Sequence, residues 1–183
     1  MTTPRTPDTA VEVVERARAV RVMVFDVDGV LTDGGLFYGD HGEEYKAFNS
    51  RDGHGIKMLR ATGVATAIIT GRTSQVVLHR ARNLGIAHIF QGVEDKLEAF
   101  AKLLAATGVE AREIAYMGDD LVDLPVINRC GLAITVPDAP GEVKARCHLV
   151  TQAGAGRGAA REACEFIMRA KGTWAGQLAL YDR

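Results

Sequence analysis

Five short runs of aliphatic and β-branched residues break off into acidic, glycine or hydroxyl residues, and nothing else in the chain limits its fold as much. They are Arg21-Val-Met-Val-Phe25, Ala65-Thr-Ala-Ile-Ile69, His88-Ile-Phe90, Ile114-Ala-Tyr-Met117 and Leu132-Ala-Ile134, with His148-Leu-Val150 as a sixth candidate. Between them lie stretches at helical spacing: Gly53 to Ala61, Ser74 to Leu84, Glu94 to Ala106 and Leu121 to Asn128. A strand that is apolar on both faces has to be covered on both, so strands alternating with helices predict an α/β fold with a parallel sheet flanked by helices. In such a sheet ligands bind beyond the carboxyl ends of the strands. The polar clusters that follow the runs directly, Asp26-Val-Asp28, Thr70-Gly71-Arg72 and Gly118-Asp119-Asp120, therefore belong to one site.

Length and composition add boundaries to this picture. A chain of 183 residues, 47% hydrophobic, fits one domain over residues 1–183 with one substantial core. With a net charge of −1 and no clustering of Lys and Arg, nucleic acid is not an expected partner. No apolar stretch reaches the roughly 18–20 residues of a membrane helix, and Met1 to Asp8 lacks the order of a secretory signal. A cytoplasmic location is expected. Cys130, Cys147 and Cys164 suit neither a disulfide framework nor a zinc site, and His41, His54, His79, His88 and His148 show no paired ligand spacing. At the start of the chain, Asp8 is expected to cap an amphipathic helix presenting Val11, Val14, Ala17 and Val20.

One segment interrupts the alternation. Leu36-Phe-Tyr38 and Glu44-Tyr-Lys-Ala-Phe48, joined through Gly39-Asp-His-Gly42, predict an antiparallel hairpin at about residues 34–48. A two-stranded unit with that many large apolar side chains is not stable by itself. It is expected to pack on something else.

Two aspartates two residues apart, placed where a strand ends, can divide the work of phosphoryl transfer. One attacks in line, and the other lends a proton to the departing oxygen and removes one from water. Asp26-Val-Asp28-Gly29-Val30-Leu31-Thr32-Asp33, followed in order by Thr70, Lys96 and Gly118-Asp-Asp-Leu-Val-Asp123, resembles the four motifs of the haloacid dehalogenase superfamily. That resemblance implies a Rossmann-like fold with Asp26 as nucleophile and Asp28 as general acid and base. Thr70 then binds a phosphate oxygen, and Lys96 neutralises nucleophile and phosphoryl group. Asp26, Asp119 and the main-chain carbonyl of Asp28 become ligands to magnesium, with Asp120 and Asp123 behind them orienting waters and Lys96. An oxygen-only ligand set suits a hard octahedral cation.

Superfamily members commonly carry a cap domain over the site, and neither gap between motifs has room for one. The enzyme is expected to be capless, taking either a macromolecular phosphate or a lid from a neighbouring subunit, for which the hairpin is the candidate. The stretches "DVDGVLTDG", "GEEYKAFNSRDGHGI", "IITGR", "GDDLVDLPV" and "GAGRGAAREAC" are similar to the 3-deoxy-D-manno-octulosonate 8-phosphate phosphatase family. What that implies is a tetrameric, magnesium-dependent enzyme of lipopolysaccharide precursor synthesis. Its acidic sugar phosphate would contact Asp28, Asn49, Ser50, Arg51, Asp52, Gly53, Lys57, Gly71, Arg72, Arg80 and Lys96. Lys57 stands where some relatives carry arginine, and the tail from Lys171 onward matches nothing in the family pattern. Two other readings stay open on these residues: a phosphatase of a nine-carbon sugar acid phosphate, and a non-catalytic tetramerisation module.

Overall fold

A computed structural model describes residues 8–182, so the expectation for residues 1–7 lies outside the described part. The order of elements is α1 (Ala10–Ala19), β1 (Val22–Phe25), β2 (Phe37–Tyr38), β3 (Glu44–Tyr45), α2 (Ser50–Ala61), β4 (Ala65–Ile69), α3 (Gln75–Leu84), β5 (His88–Phe90) and α4 (Lys96–Thr107). Then come β6 (Ile114–Met117), α5 (Leu124–Ile127), β7 (Leu132–Thr135), α6 (Gly141–Lys144), β8 (Leu149–Val150), α7 (Ala159–Ala170) and α8 (Trp174–Ala179). All six apolar runs are strands of one parallel sheet in the order β5-β4-β1-β6-β7-β8.

The chain moves outward from β1 through β4 to β5 and then returns to the other side of β1 at β6. The point of reversal therefore lies beside β1, where a crevice opens beyond the carboxyl ends of the strands. β1, β4 and β6 are adjacent, with Phe25 level with Ile68 and Met117. The three polar clusters of the sequence consequently meet in space. Val22 to Phe25 and Ile114 to Met117 are all buried, as strands covered on both faces must be.

Helix ends follow local side-chain chemistry and depart from expectation in places. Thr9, not Asp8, caps α1, through a capping box with Glu12, while Asp8 pairs with Arg16. The buried residues of α1 are Val13 and Ala17, one turn apart on the face that packs against α7, with buried Val20 just past the helix end and Val11 in solvent. α2 begins three residues earlier than expected because Asn49 accepts hydrogen bonds from the amides of Arg51 and Asp52. The stretch from Leu121 to Asn128 divides into a 3-10 turn over Leu121–Asp123 and the short α5, with Pro125 in its first turn. The hairpin is shorter than expected, with two paired residues in each strand, and Phe37, Tyr38 and Tyr45 are exposed.

The tail that resembled nothing forms α8 and packs back on the body. Trp174 lies under the guanidinium groups of Arg161 and Arg169, and the hydroxyl of Tyr181 is 2.8 Å from Nε2 of His54 on α2. Among the described residues, no helix is long and apolar enough to cross a membrane.

Candidate active site

The crevice at the point of reversal is a cleft of about 240 Å³ whose walls include Asp26, Asp28, Thr70, Gly71, Arg72, Lys96, Asp119 and Asp120. A somewhat larger opening at the other end of the strands, lined by Arg21, His88 and Lys171 among others, has no carboxylate in its walls. The carboxylates that follow β1 and β6, with Thr70 and Lys96, line the first.

Asp26 follows β1 directly and is buried. Its Oδ1 accepts from the amide of Val27 at 2.7 Å, and its Oδ2 accepts from Nζ of Lys96 at 2.6 Å. Lys96 opens α4, capped by Asp95, and only 3% of it is exposed, which is far from the usual position of a helical lysine. A second carboxylate, Asp123, makes that burial tolerable. Oδ1 of Asp123 accepts from Lys96 at 2.6 Å and from the hydroxyl of Tyr116 at 2.5 Å, while Oδ2 accepts from the amides of Asp119 and Asp120. Burial acts to lower the lysine pKa, but the two carboxylates outweigh it and hold the ammonium above its ordinary value.

The carboxylates are more numerous than the cation can balance. Burial pushes Asp26 up to about 6 against the pull of Lys96, and burial together with the charges of Asp123 and Asp26 pushes Asp119 up to about 7. Oxygens of Asp26, Asp119 and Asp123 lie within 4.8 Å of one another. Asp123 has both oxygens committed to donors, so it holds Lys96 and the Asp119 loop and has no oxygen to spare for a cation. Asp119 differs. Its Oδ1 is buried and meets no hydrogen-bond donor among the described residues. An unsatisfied buried carboxylate oxygen beside a second carboxylate fits a hard divalent cation held by Asp26 and Asp119.

Two glycines make this approach possible. Gly29 has φ +83°, and a Cβ there would sit 2.0 Å from Oδ2 of Asp119. At Gly118 a Cβ would lie 2.4 Å from Cγ of Asp123. Asp119 therefore reaches the loop after β1, and Asp123 folds back beneath Asp119, across bare backbone.

The residues expected at the substrate separate into two groups. Gly71 and Arg72 line the cleft with Asp28 and Thr70. Arg80 turns away from it, stacking on the Phe48 ring at 5.7 Å and donating to the carbonyl of Asn49, where a Cβ on Gly53 would collide with it. Asp52, expected at the substrate, instead caps α7: its oxygens accept from the amides of Gly158 and Arg161. Ser50, Arg51 and Lys57 are exposed on α2, outside the cleft. Asp120, expected to orient Lys96, caps its own 3-10 turn through the amide of Leu121 and makes no hydrogen bond to the lysine.

Sequence reasoning missed Lys46, Glu44 and Tyr116. The signal for Lys46 was period two in the hairpin, where residues 44, 46 and 48 are half-buried and 45 and 47 exposed. Tyr116 was legible as the only hydroxyl in an otherwise aliphatic central strand, since a buried phenol needs a partner. Asp123 and Asp26 push its pKa further up beyond what burial does, so it stays a donor.

Fold and cleft together define a hydrolase of the haloacid dehalogenase type, and residues 85–162 match the family described as haloacid dehalogenase-like hydrolase. The chain is 45% identical to the 3-deoxy-D-manno-octulosonate 8-phosphate phosphatase of Yersinia pestis over 160 residues, 87% of this chain and 86% of that protein. A crystal structure of a probable YrbI family phosphatase from Pseudomonas syringae superposes with a TM-score of 0.93 at 49% identity, covering 95% of this chain and 99% of that one. The phosphatase of Moraxella catarrhalis, solved with magnesium, phosphate and KDO, gives a TM-score of 0.93 at 39% identity over 94% of this chain and 99% of that chain. This chain belongs to the 3-deoxy-D-manno-octulosonate 8-phosphate phosphatase family.

Proposed function

We propose that this chain is a magnesium-dependent phosphomonoesterase that hydrolyses 3-deoxy-D-manno-octulosonate 8-phosphate to the free sugar acid and phosphate, within lipopolysaccharide precursor synthesis. The observation that carries the proposal is the buried Asp26–Lys96–Asp123 arrangement beside the unsatisfied oxygen of Asp119. A nucleophile, its counter-cation and a cation site converge there, in a chain similar over most of its length to phosphatases of that substrate.

In this reading an Asp26 oxygen attacks phosphorus and the ester bond breaks toward the sugar oxygen, giving an aspartyl-phosphate. Asp28 gives that oxygen a proton, then takes one from the water that cleaves the intermediate. Lys96 holds the attacking carboxylate and offsets charge on the phosphoryl oxygens, one of which the hydroxyl of Thr70 binds. When bound, magnesium adds charge neutralisation at those oxygens, and Asp26, Asp119 and the carbonyl of Asp28 are the groups that would hold it. Arg72, in the wall of the cleft, is placed to bind an anionic part of the sugar. Arg80 with Asn49, Ser50, Arg51, Gly53 and Lys57 lies further out, where a neighbouring subunit could bring sugar against them.

The whole chain acts in this reading as one hydrolase unit, with the hairpin at about residues 34–48 as a flap. Exposed Leu36, Phe37, Tyr38 and Tyr45 support its association with copies of itself, and we take the working form to be a cytoplasmic homotetramer in which subunits cover one another's clefts. The test is phosphate release from a panel of eight- and nine-carbon sugar acid phosphates and neutral sugar phosphates, with magnesium, by the parent protein and Asp26→Asn. Preference for the eight-carbon acid and its loss in the variant are expected. Preference for a nine-carbon acid would replace the substrate, and steady turnover by the variant would remove Asp26 as nucleophile.

A further inference from the structure

One buried side chain joins the hairpin to the cleft. Lys46 lies just past β3, and 1% of its side chain is exposed. Its Nζ donates to Oδ1 of Asp28 at 2.5 Å and lies 3.2 Å from Oε1 of Glu44. The other contacts of the Asp28 carboxyl are longer: Oγ1 of Thr32 is 3.4 Å from Oδ1, and Nε of Arg72 is 3.8 Å from Oδ2. Glu44 is held in turn, because a hydrogen bond with the side chain of Ser74, then Lys46 and Arg72, keep its carboxyl below the usual range. Ser74 caps α3, just past the second motif. A line of contacts thus runs from α3 through Glu44 and Lys46 to Asp28.

An ammonium taken out of water is costly unless it is paired and hydrogen-bonded. Apolar contacts alone could pin a hairpin to the body, so a buried lysine between two carboxylates calls for a further reason. A side chain that exchanges protons must lie within roughly 2.6–3.2 Å of its target, and a misplacement of about 1 Å costs on the order of 10²-fold in rate. Asp28 follows a strand end, where a turn leaves its side chain several rotamers.

We propose that Lys46 is a positioning residue for the reaction: by holding Oδ1 of Asp28, it leaves Oδ2, on the side of Arg72 and the cleft, as the oxygen that exchanges protons with substrate and water. This rests on the phosphatase reading above. In the first half, Asp26 bonds to phosphorus as the phosphorus–sugar oxygen bond breaks with its electron pair, and the sugar oxygen takes the proton from Oδ2. In the second half, water oxygen bonds to phosphorus, Oδ2 takes a proton from that water, and the bond from phosphorus to Asp26 breaks. Water is added across the ester, and Lys46 keeps its own proton throughout. The hairpin that offers the exposed aromatic residues also carries the lysine, so its placement sets the geometry of proton transfer.

The experiment compares the parent with Lys46→Met and Lys46→Arg on 3-deoxy-D-manno-octulosonate 8-phosphate and on 4-nitrophenyl phosphate, with magnesium present. Nitrophenolate leaves without a proton, whereas the sugar oxygen does not. Lys46→Met is expected to lower kcat on the sugar phosphate by about 10²-fold with little change in KM. On the aryl ester it should release a rapid burst of about one nitrophenolate per active site, followed by slow turnover, and an acid quench should trap the phosphorylated protein. Lys46→Arg should recover most of the rate, and melting curves should show both variants folded.

A lysine that only fixes the hairpin would impair both esters alike, with no burst and no trapped phosphoprotein. That outcome, or a change in KM alone, overturns the proposal for Lys46 while leaving the phosphatase reading intact. Failure of the parent to hydrolyse either ester overturns the phosphatase reading and this inference with it.

Discussion

Asp123→Asn changes one atom of a side chain that every neighbour approaches with a donor. Oδ1 accepts from Lys96 and Tyr116, and Oδ2 accepts from the amides of Asp119 and Asp120. The asparagine amide has one acceptor oxygen, so whichever way it turns, its NH₂ faces two donors at a fully buried position. Removing one partner of a buried ion pair costs about 3–5 kcal/mol. Because Asp26 still pairs with Lys96 in the variant, the lower end, about 3 kcal/mol, applies. A domain of this size shifts its Tm by about 2–4 °C per kcal/mol, giving an expected fall of about 6–12 °C by calorimetry. Asp120→Asn is the control, since Asp120 is exposed and asparagine caps a turn about as well; its cost should stay within about 0.5 kcal/mol. An Asp123→Asn melting point within about 2 °C of the parent, or equal losses from the two variants, would refute the argument that Asp123 is the hub of the site.

Further outcomes follow from the same cluster and from the hairpin. Asp119 keeps its proton in the folded protein up to about pH 7, whereas it leaves the unfolded chain near the ordinary value of 3.8. The metal-free protein therefore loses stability as pH rises between those values. A divalent cation binds the ionised form, so the rise in Tm on adding magnesium should be larger at pH 8 than at pH 6, and an equal rise at both would remove Asp119 as ligand. Gly29→Ala forces a side chain into positive φ, a strain of about 1–2 kcal/mol, and into Oδ2 of Asp119. Titration calorimetry should show magnesium binding weakened by more than about tenfold, and unchanged affinity would mean that Asp119 is not drawn to that position. Replacing Phe37 and Tyr45 by glutamate should give a smaller, folded species in sedimentation, because neither side chain belongs to the buried core; an unchanged sedimentation coefficient would place the subunit interface elsewhere.

The parallel sheet was legible in the sequence because fully covered strands have to be apolar throughout, and each run ended where its chemistry began. Asp26, Asp28, Thr70 and Asp119 could be read for the same reason: they follow strands that the fold sets side by side. Period and local caps determined α3 and α4 to within two residues. The tertiary structure alone decided which of two aspartates three residues apart holds Lys96, because Asp120 and Asp123 look alike in sequence and differ only in where the 3-10 turn aims them. It alone turned Asp52 toward the end of α7 and Arg80 onto Phe48, since those contacts join segments far apart in the chain. Lys46 shows the limit most clearly. A lysine in a short exposed hairpin reads as a solvated charge, and only the approach of that hairpin to the loop after β1 buries its ammonium against Asp28.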